Sequence, residues 1–242
     1  MSNLFGNLNI PTNVEQDSDF LGGTGVLDSD IYPATITHVY SKVAASGARA
    51  LAFKFELNVG GRTVPYSEDL YVTDKQGNVS FTHNGSTRFL PGYNLINSIT
   101  KALLGKELTQ ITSEKRVLPI YNYELKKEVP TEVDTVPELF GKKLHIALQK
   151  VRKNKEVKDT NGTWQPTAEE RIYNSIDKIL FEVDGTIKTF NEAAAKAEGT
   201  FAEGWLTKNK GNVRDQYKEV SGTPTAAGAG AVAATVQPLV LG

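Results

Sequence analysis

Large apolar residues alternate with smaller or polar ones along several short stretches of this chain, a period typical of β-strands. The clearest example is LAFKFELNV at residues 51–59, in which every second residue is large and apolar. Gly60-Gly61 follows directly, and a glycine pair between two strands favours a tight hairpin. The pattern therefore predicts a strand with one buried and one exposed face, followed by an antiparallel return strand.

Weaker patterns extend this interpretation along the chain. The return strand is predicted over 62–72, and Pro65 places it at a sheet edge or at a bulge. A helix is predicted from Pro91 to Gly105, because proline suits a first helical turn and glycine suits a helix end. Further strands are predicted over residues 33–42, 117–126, 142–152, 176–183 and 187–190.

The segments between these elements lack a period and are interpreted as connections. Loops are predicted over 74–85, 128–138 and 153–170. The domain organisation is predicted as an irregular acidic arm (1–30), a main domain (31–190), a helical and basic extension (191–220) and a flexible Ala/Gly tail (221–242).

The order of elements predicts a fold class. Three strands, a helix and then two or three more strands favour a mainly β protein of the oligonucleotide-binding (OB) type. We expect a Greek-key barrel of five to six strands with one interposed helix, short C-terminal helices and flexible ends. A generic β-sandwich is the alternative, because element order alone does not separate the two.

Composition narrows the classes of function. The chain has 242 residues, 39% hydrophobic and 23% charged, with no cysteine, so disulfides, thiol catalysis and cysteine zinc sites are excluded. No apolar run approaches the ~20 residues of a membrane helix. The start, MSNLFGNLNIPTNVEQD, has neither the basic nor the apolar part of a secretory signal. We expect an intracellular protein without a membrane partner.

Residue patterns for catalysis are missing from the sequence. His38, His83 and His145 are scattered, and no metal or nucleophile motif of known spacing occurs. Glu68 and Asp69 are adjacent on a predicted strand, so their side chains should point to opposite faces. We therefore expect a binding protein that is not an enzyme and uses neither a cofactor nor a metal.

Charge is unevenly distributed, although the formal net charge is only −1. The first 41 residues contain five acidic residues and no lysine or arginine. Residues 141–160 contain seven basic residues against two acidic ones. A basic stripe of this kind suits a phosphate backbone, which leads to nucleic acid as a candidate partner.

Single strands are bound without sequence preference by cations for the phosphates and aromatic faces for the bases. The chain offers both types of side chain on predicted strands and loops. The candidate phosphate contacts are Arg49, Lys54, Arg62, Lys150, Arg152, Lys153 and Lys155. The candidate stacking residues are Tyr71, Tyr121, Tyr123 and Trp164.

Each of these candidates also has a purely structural interpretation. Tyr121 and Tyr123 share one strand face and would also suit the interior of a barrel. The basic residues from Lys150 onward would also suit an ordinary solvated loop. Trp164 lies in a polar segment beside Asn161-Gly162, where a core role is harder to explain, so its exposure is informative.

The sequence resembles the phage-encoded single-stranded-DNA-binding proteins. The resemblance lies in YPATI at residues 32–36, in SGARALAFKFELNVGGRTVPYSEDLYV at residues 46–72, and in FGKKLHIALQKVRKNK at residues 140–155. It covers about residues 25–190. It implies an OB-type barrel, sequence-tolerant binding of single-stranded DNA in phage replication or recombination, and a place in the host cytoplasm. Replication or recombination proteins and a homo-oligomer are compatible partners.

One feature departs from that family's pattern. Many single-strand binding proteins end in an acidic tail that recruits partner enzymes, whereas this chain has no acidic residue after Glu219 and ends VQPLVLG. The acidic residues lie at the N-terminus instead, where an arm could compete with DNA for a basic groove. Two other classes stay open: a virion structural or assembly protein that uses arm and tail, and an enzyme on a β scaffold.

Overall fold

The structure is a computed structural model that describes residues 25–122 and 124–220. Within these residues the chain forms eleven strands and three α-helices. Nine strands join one large, mostly antiparallel sheet, and the other two form a separate hairpin. The predicted mainly β class is therefore confirmed. No helix in the described part of the chain is both long and apolar enough to cross a membrane.

The elements follow one another as a series of hairpins interrupted by short helices. The strands are β1 Asp30–Val43, β2 Arg49–Val59, β3 Arg62–Tyr71, β4 Ser80–His83, β5 Ser86–Phe89, β6 Glu114–Asn122, β7 Lys127–Thr135, β8 Lys143–Lys158, β9 Trp164–Val183, β10 Thr186–Lys188 and β11 Val213–Asp215. The helices are α1 Pro91–Leu104, α2 Phe190–Ala194 and α3 Phe201–Asn209, with single 3-10 turns at Leu108–Gln110 and Pro137–Leu139.

The first three strands form the antiparallel meander that the hydrophobic period predicts. Phe53, Phe55 and Leu57 are fully or almost fully buried on one face of β2. Gly60 and Gly61 turn into β3 with φ angles of 58° and 87°, a left-handed backbone that glycine adopts without strain. Pro65 lies on β3, the last strand of the main strand path, as its missing N–H requires.

Helix α1 closes one end of the core. Pro91 opens it, Gly105 ends it with a φ of 67°, and Ile96 and Ile99 are fully buried against the sheet. Gly92 allows the helix to approach β3 closely, because a Cβ there would lie 2.3 Å from the carbonyl oxygen of Tyr71. The helix and the end of β3 are therefore held in direct contact.

The main strand path runs β10-β9-β8-β1-β2-β3 and does not close by backbone pairing between β3 and β9. The Glu68 side chain lies between these two strands instead. Its carboxylate accepts hydrogen bonds from the Ile176 N–H (2.8 Å) and the Ser175 hydroxyl (3.2 Å) of β9, and another from Tyr66. The predicted closure into a barrel of five to six strands is therefore not seen. The sheet stays open between β3 and β9, and the Glu68 carboxylate bridges this gap.

Three predicted loops are wrong, because each contains strand. Segment 74–85 includes β4, segment 128–138 includes β7, and segment 153–170 is largely the continuation of β8 and β9. Within these three segments most residues are exposed, so few apolar residues mark the period of the strands. Backbone pairing rather than burial holds them, and hydrophobic periodicity does not detect that.

The predicted extension 191–220 packs onto the sheet. Trp205 of α3 is buried against Ala147 and Leu180, and its indole N–H donates to the Asp177 carboxylate at 2.7 Å. Strand β11 pairs in parallel with β8 at residues 150–152. The predicted tail and most of the predicted arm lie outside the described residues.

Candidate nucleic-acid interface

The structure distributes the predicted binding residues over separate regions instead of one groove. Tyr123 lies outside the described residues. The others occupy four places: Arg49 and Tyr71 at one corner of the sheet, Arg62 at the far end of β2–β3, Lys54 and Tyr121 near the β6–β7 hairpin, and Lys150, Arg152, Lys153, Lys155 and Trp164 on the β8–β9 hairpin.

Arg49 and Tyr71 lie together where β2 begins and β3 ends. The backbone carbonyl oxygen of Arg49 accepts a hydrogen bond from the Val72 N–H at 2.9 Å. The backbone N–H of Arg49 donates to the Thr73 hydroxyl, also at 2.9 Å. Arg49 is exposed, and Tyr71 is 43% exposed. This corner presents a cation and an aromatic ring to solvent.

Arg62 is remote from that corner. It pairs with Val59 at the opposite end of β2, ten residues from Arg49. At about 3.3 Å per residue, the two arginines are about 33 Å apart along the strand. Arg62 therefore does not share a binding surface with Arg49.

Lys54 lies on a face of β2 that another hairpin covers. The β6–β7 hairpin packs Leu118 against Tyr40 and Ala52, and the Lys54 ammonium donates to the Pro119 carbonyl oxygen at 3.3 Å. Tyr121 points to the other side of β6 and is 47% exposed. Tyr121 is thus not a core residue, whereas the Lys54 ammonium already has a backbone partner.

The basic residues of β8 do not form one stripe. Residues two apart on a strand share a face, so Lys150 and Arg152 lie on one face of β8 while Lys153 and Lys155 lie on the other. The prediction of a single basic stripe is therefore wrong. On a loop these basic side chains could have pointed in one direction, but on a strand successive side chains point to opposite faces.

Carboxylates accompany these cations at short distances. The Arg152 guanidinium contacts Glu170 at 2.7 Å and Asp215 at 2.9 Å, and both carboxylates raise the pKa of Arg152. The other pairs are Lys150 with Asp28 (3.1 Å), Lys153 with Glu156 (3.7 Å) and Lys155 with Glu169 (2.7 Å). The positive charge that the sequence suggests is therefore largely compensated by neighbouring acidic residues.

The tip of this hairpin is different. Trp164 is 61% exposed, and the Lys158 ammonium lies 5.4 Å from the centre of its ring. The two residues are paired directly across β8 and β9. Trp205, by contrast, is only 5% exposed, so the two tryptophans of the chain have distinct environments. An exposed indole beside a cation is the arrangement that base stacking and phosphate contact require.

No protein-family model matches this chain, and no curated protein gives a significant match. Among residues 25–122 and 124–220, no group of three or more His, Cys, Asp or Glu side chains is placed to hold a metal ion. Surface aromatics and cations are the features that carry chemistry here.

Sequence reasoning missed the β4–β5 hairpin. Phe81 and Phe89 on this hairpin are 43% and 49% exposed. Asn84-Gly85 turns the chain between the two strands with φ angles of 49° and 74°. Asn-Gly between short runs containing phenylalanine is a strong hairpin signal, so the pattern to find it was present in the sequence.

Proposed function

We propose that this protein binds single-stranded DNA without sequence preference, as a non-enzymatic component of phage DNA replication or recombination. The observation that carries the proposal is the exposed Trp164 with the Lys158 ammonium over its ring at the tip of the β8–β9 hairpin. An exposed tryptophan is unusual on a surface without a partner, and unstacked bases are the partner that such a ring suits.

The topology supports an OB-like relationship. The β1–β2–β3 meander is followed by α1, and then by a β8–β9 hairpin that returns to β1. An OB Greek key has a similar order of strands and helix, which supports the proposal. Here the β4–β5 hairpin precedes α1 and the β6–β7 hairpin follows it. The gap between β3 and β9, which Glu68 bridges, distinguishes this sheet from a closed barrel.

The compensated cations of β8 are compatible with this role. Exposed ion pairs contribute only about 0–1 kcal/mol each, so a phosphate can replace a carboxylate partner at low cost. Because counterions are released when DNA binds, affinity should fall as salt rises. Contacts with replication or recombination proteins and self-association stay predictions.

A virion structural or assembly role is the second candidate. The observation favouring it is the β6–β7 hairpin, on which Val117 is 64% exposed and Leu125, in its turn, is 57% exposed. Exposed apolar side chains of this kind suit contacts between proteins. A stable oligomer without affinity for nucleic acid would favour this candidate.

Fluorescence titration with oligothymidylate at two salt concentrations tests the first proposal. We expect quenching of Trp164 and an affinity that falls steeply with salt. The variant Trp164→Phe is the control, because it retains only the buried Trp205, whose emission should not change on adding DNA. Absence of any binding at low salt, with the protein folded, would overturn the proposal.

A further inference from the structure

Acidic residues are missing from one continuous part of this chain. Between Asp74 and Glu107 the sequence contains four basic residues and no acidic residue. This segment forms the β4–β5 hairpin and α1. Two of these four, Lys101 and Lys106, pair with Glu107 and Glu138 outside the segment. The other two, Lys75 and Arg88, have no carboxylate partner among the described residues.

The hairpin places an aromatic ring beside one of these cations. Phe81 pairs directly with Arg88 across β4 and β5, so both side chains project from the same face of the hairpin. Phe81 is 43% exposed, and Arg88 is also exposed. Among the described residues, Arg88 has no carboxylate within ion-pair distance. The ring and the charge are both available to a ligand.

The other face of the hairpin is attached to the body of the protein. The Phe89 ring stacks on Tyr93 of α1 with ring centres 4.6 Å apart and an interplanar angle of 17°. The Leu90 N–H also donates to the Val79 carbonyl oxygen at 2.9 Å and closes the base of the hairpin. These contacts leave the Phe81–Arg88 face directed away from α1.

The base of the hairpin adjoins the corner that carries Arg49 and Tyr71. Gly92 of α1 lies against the Tyr71 backbone, and the Gly47 turn between β1 and β2 lies near the Lys75 carbonyl oxygen. Lys75, like Arg88, has no carboxylate partner within the described ranges. Two exposed aromatic residues and three exposed cations therefore occupy one end of the molecule, namely Tyr71, Phe81, Arg49, Lys75 and Arg88.

We infer that the β4–β5 hairpin is a second contact site for single-stranded DNA, at which Phe81 stacks on a base and Arg88 binds the adjacent phosphate. The inference rests on the proposed function, since it assigns a further site for the same ligand. The Arg88 guanidinium, which has no carboxylate partner among the described residues, favours an anionic partner, and the Phe81 ring favours unstacked bases over a folded protein surface.

The test compares full-length variants by fluorescence anisotropy with a labelled oligothymidylate of about 16 nucleotides, the upper range for one OB domain. Phe81→Leu keeps an apolar side chain but removes the stacking surface, and we expect about tenfold weaker binding. Arg88→Gln should make the slope of log affinity against log salt shallower by about 0.7, the value for one phosphate contact on a single strand.

Thr82→Val is the matched control, because Thr82 lies beside Phe81 but projects from the opposite face of β4. We expect it to bind as the wild type does. An unchanged thermal transition and Trp164 emission would show that each variant is folded. Wild-type binding with neither effect in Phe81→Leu nor in Arg88→Gln would overturn this inference and leave the proposed function intact. Absence of binding by the wild type would overturn both.

Discussion

The β8–β9 and β4–β5 hairpins both expose aromatic rings and cations, but most cations of β8 form ion pairs whereas Arg88 of β5 forms none with the described residues. Residues 150–174 of the β8–β9 hairpin include six basic residues and four acidic residues. Four of the basic residues form ion pairs with carboxylates, namely Lys150, Arg152, Lys153 and Lys155. The β4–β5 hairpin has one arginine and no acidic residue, and its arginine has no carboxylate partner in the described structure.

This difference shows that a count of charges along the chain does not measure the charge that a ligand meets. The richest basic run in the sequence is divided between two strand faces, and four of its cations pair with carboxylates of β8, β9, β11 and the residues before β1. The segment between Asp74 and Glu107 has no acidic residue, but with only four basic residues it does not stand out in such a count. Its single arginine is nevertheless the more available cation, because nothing nearby competes with a phosphate.

The largest effect is expected when both hairpins lose their exposed ring. Phe81→Leu and Trp164→Leu should each weaken binding of an oligothymidylate of about 16 nucleotides by about tenfold. The residues lie on different hairpins, so the double variant should lose about 100-fold if their free energies add. Anisotropy titrations of the two single variants and the double variant measure this. A double variant no weaker than the worse single variant would mean that one strand does not use both hairpins.

A smaller effect of opposite sign is expected when a competing carboxylate is removed. Glu169 contacts the Lys155 ammonium at 2.7 Å, and the hydrogen bond from Lys155 lowers the pKa of Glu169. Glu169→Gln should release Lys155 and tighten DNA binding by about threefold, within the range of one exposed ion pair. The salt slope should also steepen by about 0.7.

Glu203→Gln is the matched control for that change. It removes the same charge from α3, where Glu203 has no ion-pair partner in the part of the chain that the structure describes. If binding tightened equally in both variants, the effect would come from net charge, and the ion pairs of the β8–β9 hairpin would not limit its affinity.

The smallest effect concerns stability and comes from Glu68, whose side chain bridges the gap between β3 and β9. Burial raises the pKa of the Glu68 carboxyl, although hydrogen bonds from Tyr66, Ile176 and Ser175 act in the opposite direction. The folded protein therefore holds this proton more tightly than the unfolded chain, whose reference pKa is 4.5. The stability from this group is fully present below pH 4.5 and is lost as pH rises through the folded pKa.

Urea unfolding of wild type and Glu68→Gln at several pH values isolates this contribution. The free energy of unfolding of the wild type, relative to the variant, should decrease as pH rises above 4.5. Subtracting the variant removes the carboxylates whose pKa is lowered, such as Glu138 and Asp215, since they are common to both proteins. A constant difference across the pH range would contradict the raised pKa of the buried Glu68 carboxyl.

The sequence predicted the elements that burial organises. The β1–β2–β3 meander follows from alternating apolar residues and Gly60-Gly61, and α1 follows from Pro91 and Gly105. It did not predict the exposed halves of β8 and β9, because their residues face water on both sides and carry no apolar period. The contact by which Glu68 bridges β3 and β9 joins residues more than 100 positions apart, and no local pattern encodes it.

The candidate site was predictable only in part. The polar surroundings of Trp164 make a core role hard to explain, and its side chain is 61% exposed. The predicted loop around it is wrong, because Trp164 begins β9. The carboxylate partners of Arg152 come from β9 and β11, so they appear only after the chain is folded. Phe81 was missed because the Asn84-Gly85 turn was included in a loop rather than recognised as a hairpin.

Photochemical cross-linking tests the central claim most directly, namely that both hairpins contact one single strand. The full-length protein is irradiated with an oligonucleotide carrying bromodeoxyuridine, and the cross-linked peptides are mapped by mass spectrometry. We expect cross-links in the peptide containing Phe81 and in the peptide containing Trp164. Cross-links confined to the β6–β7 hairpin, from DNA that is demonstrably bound, would contradict the account.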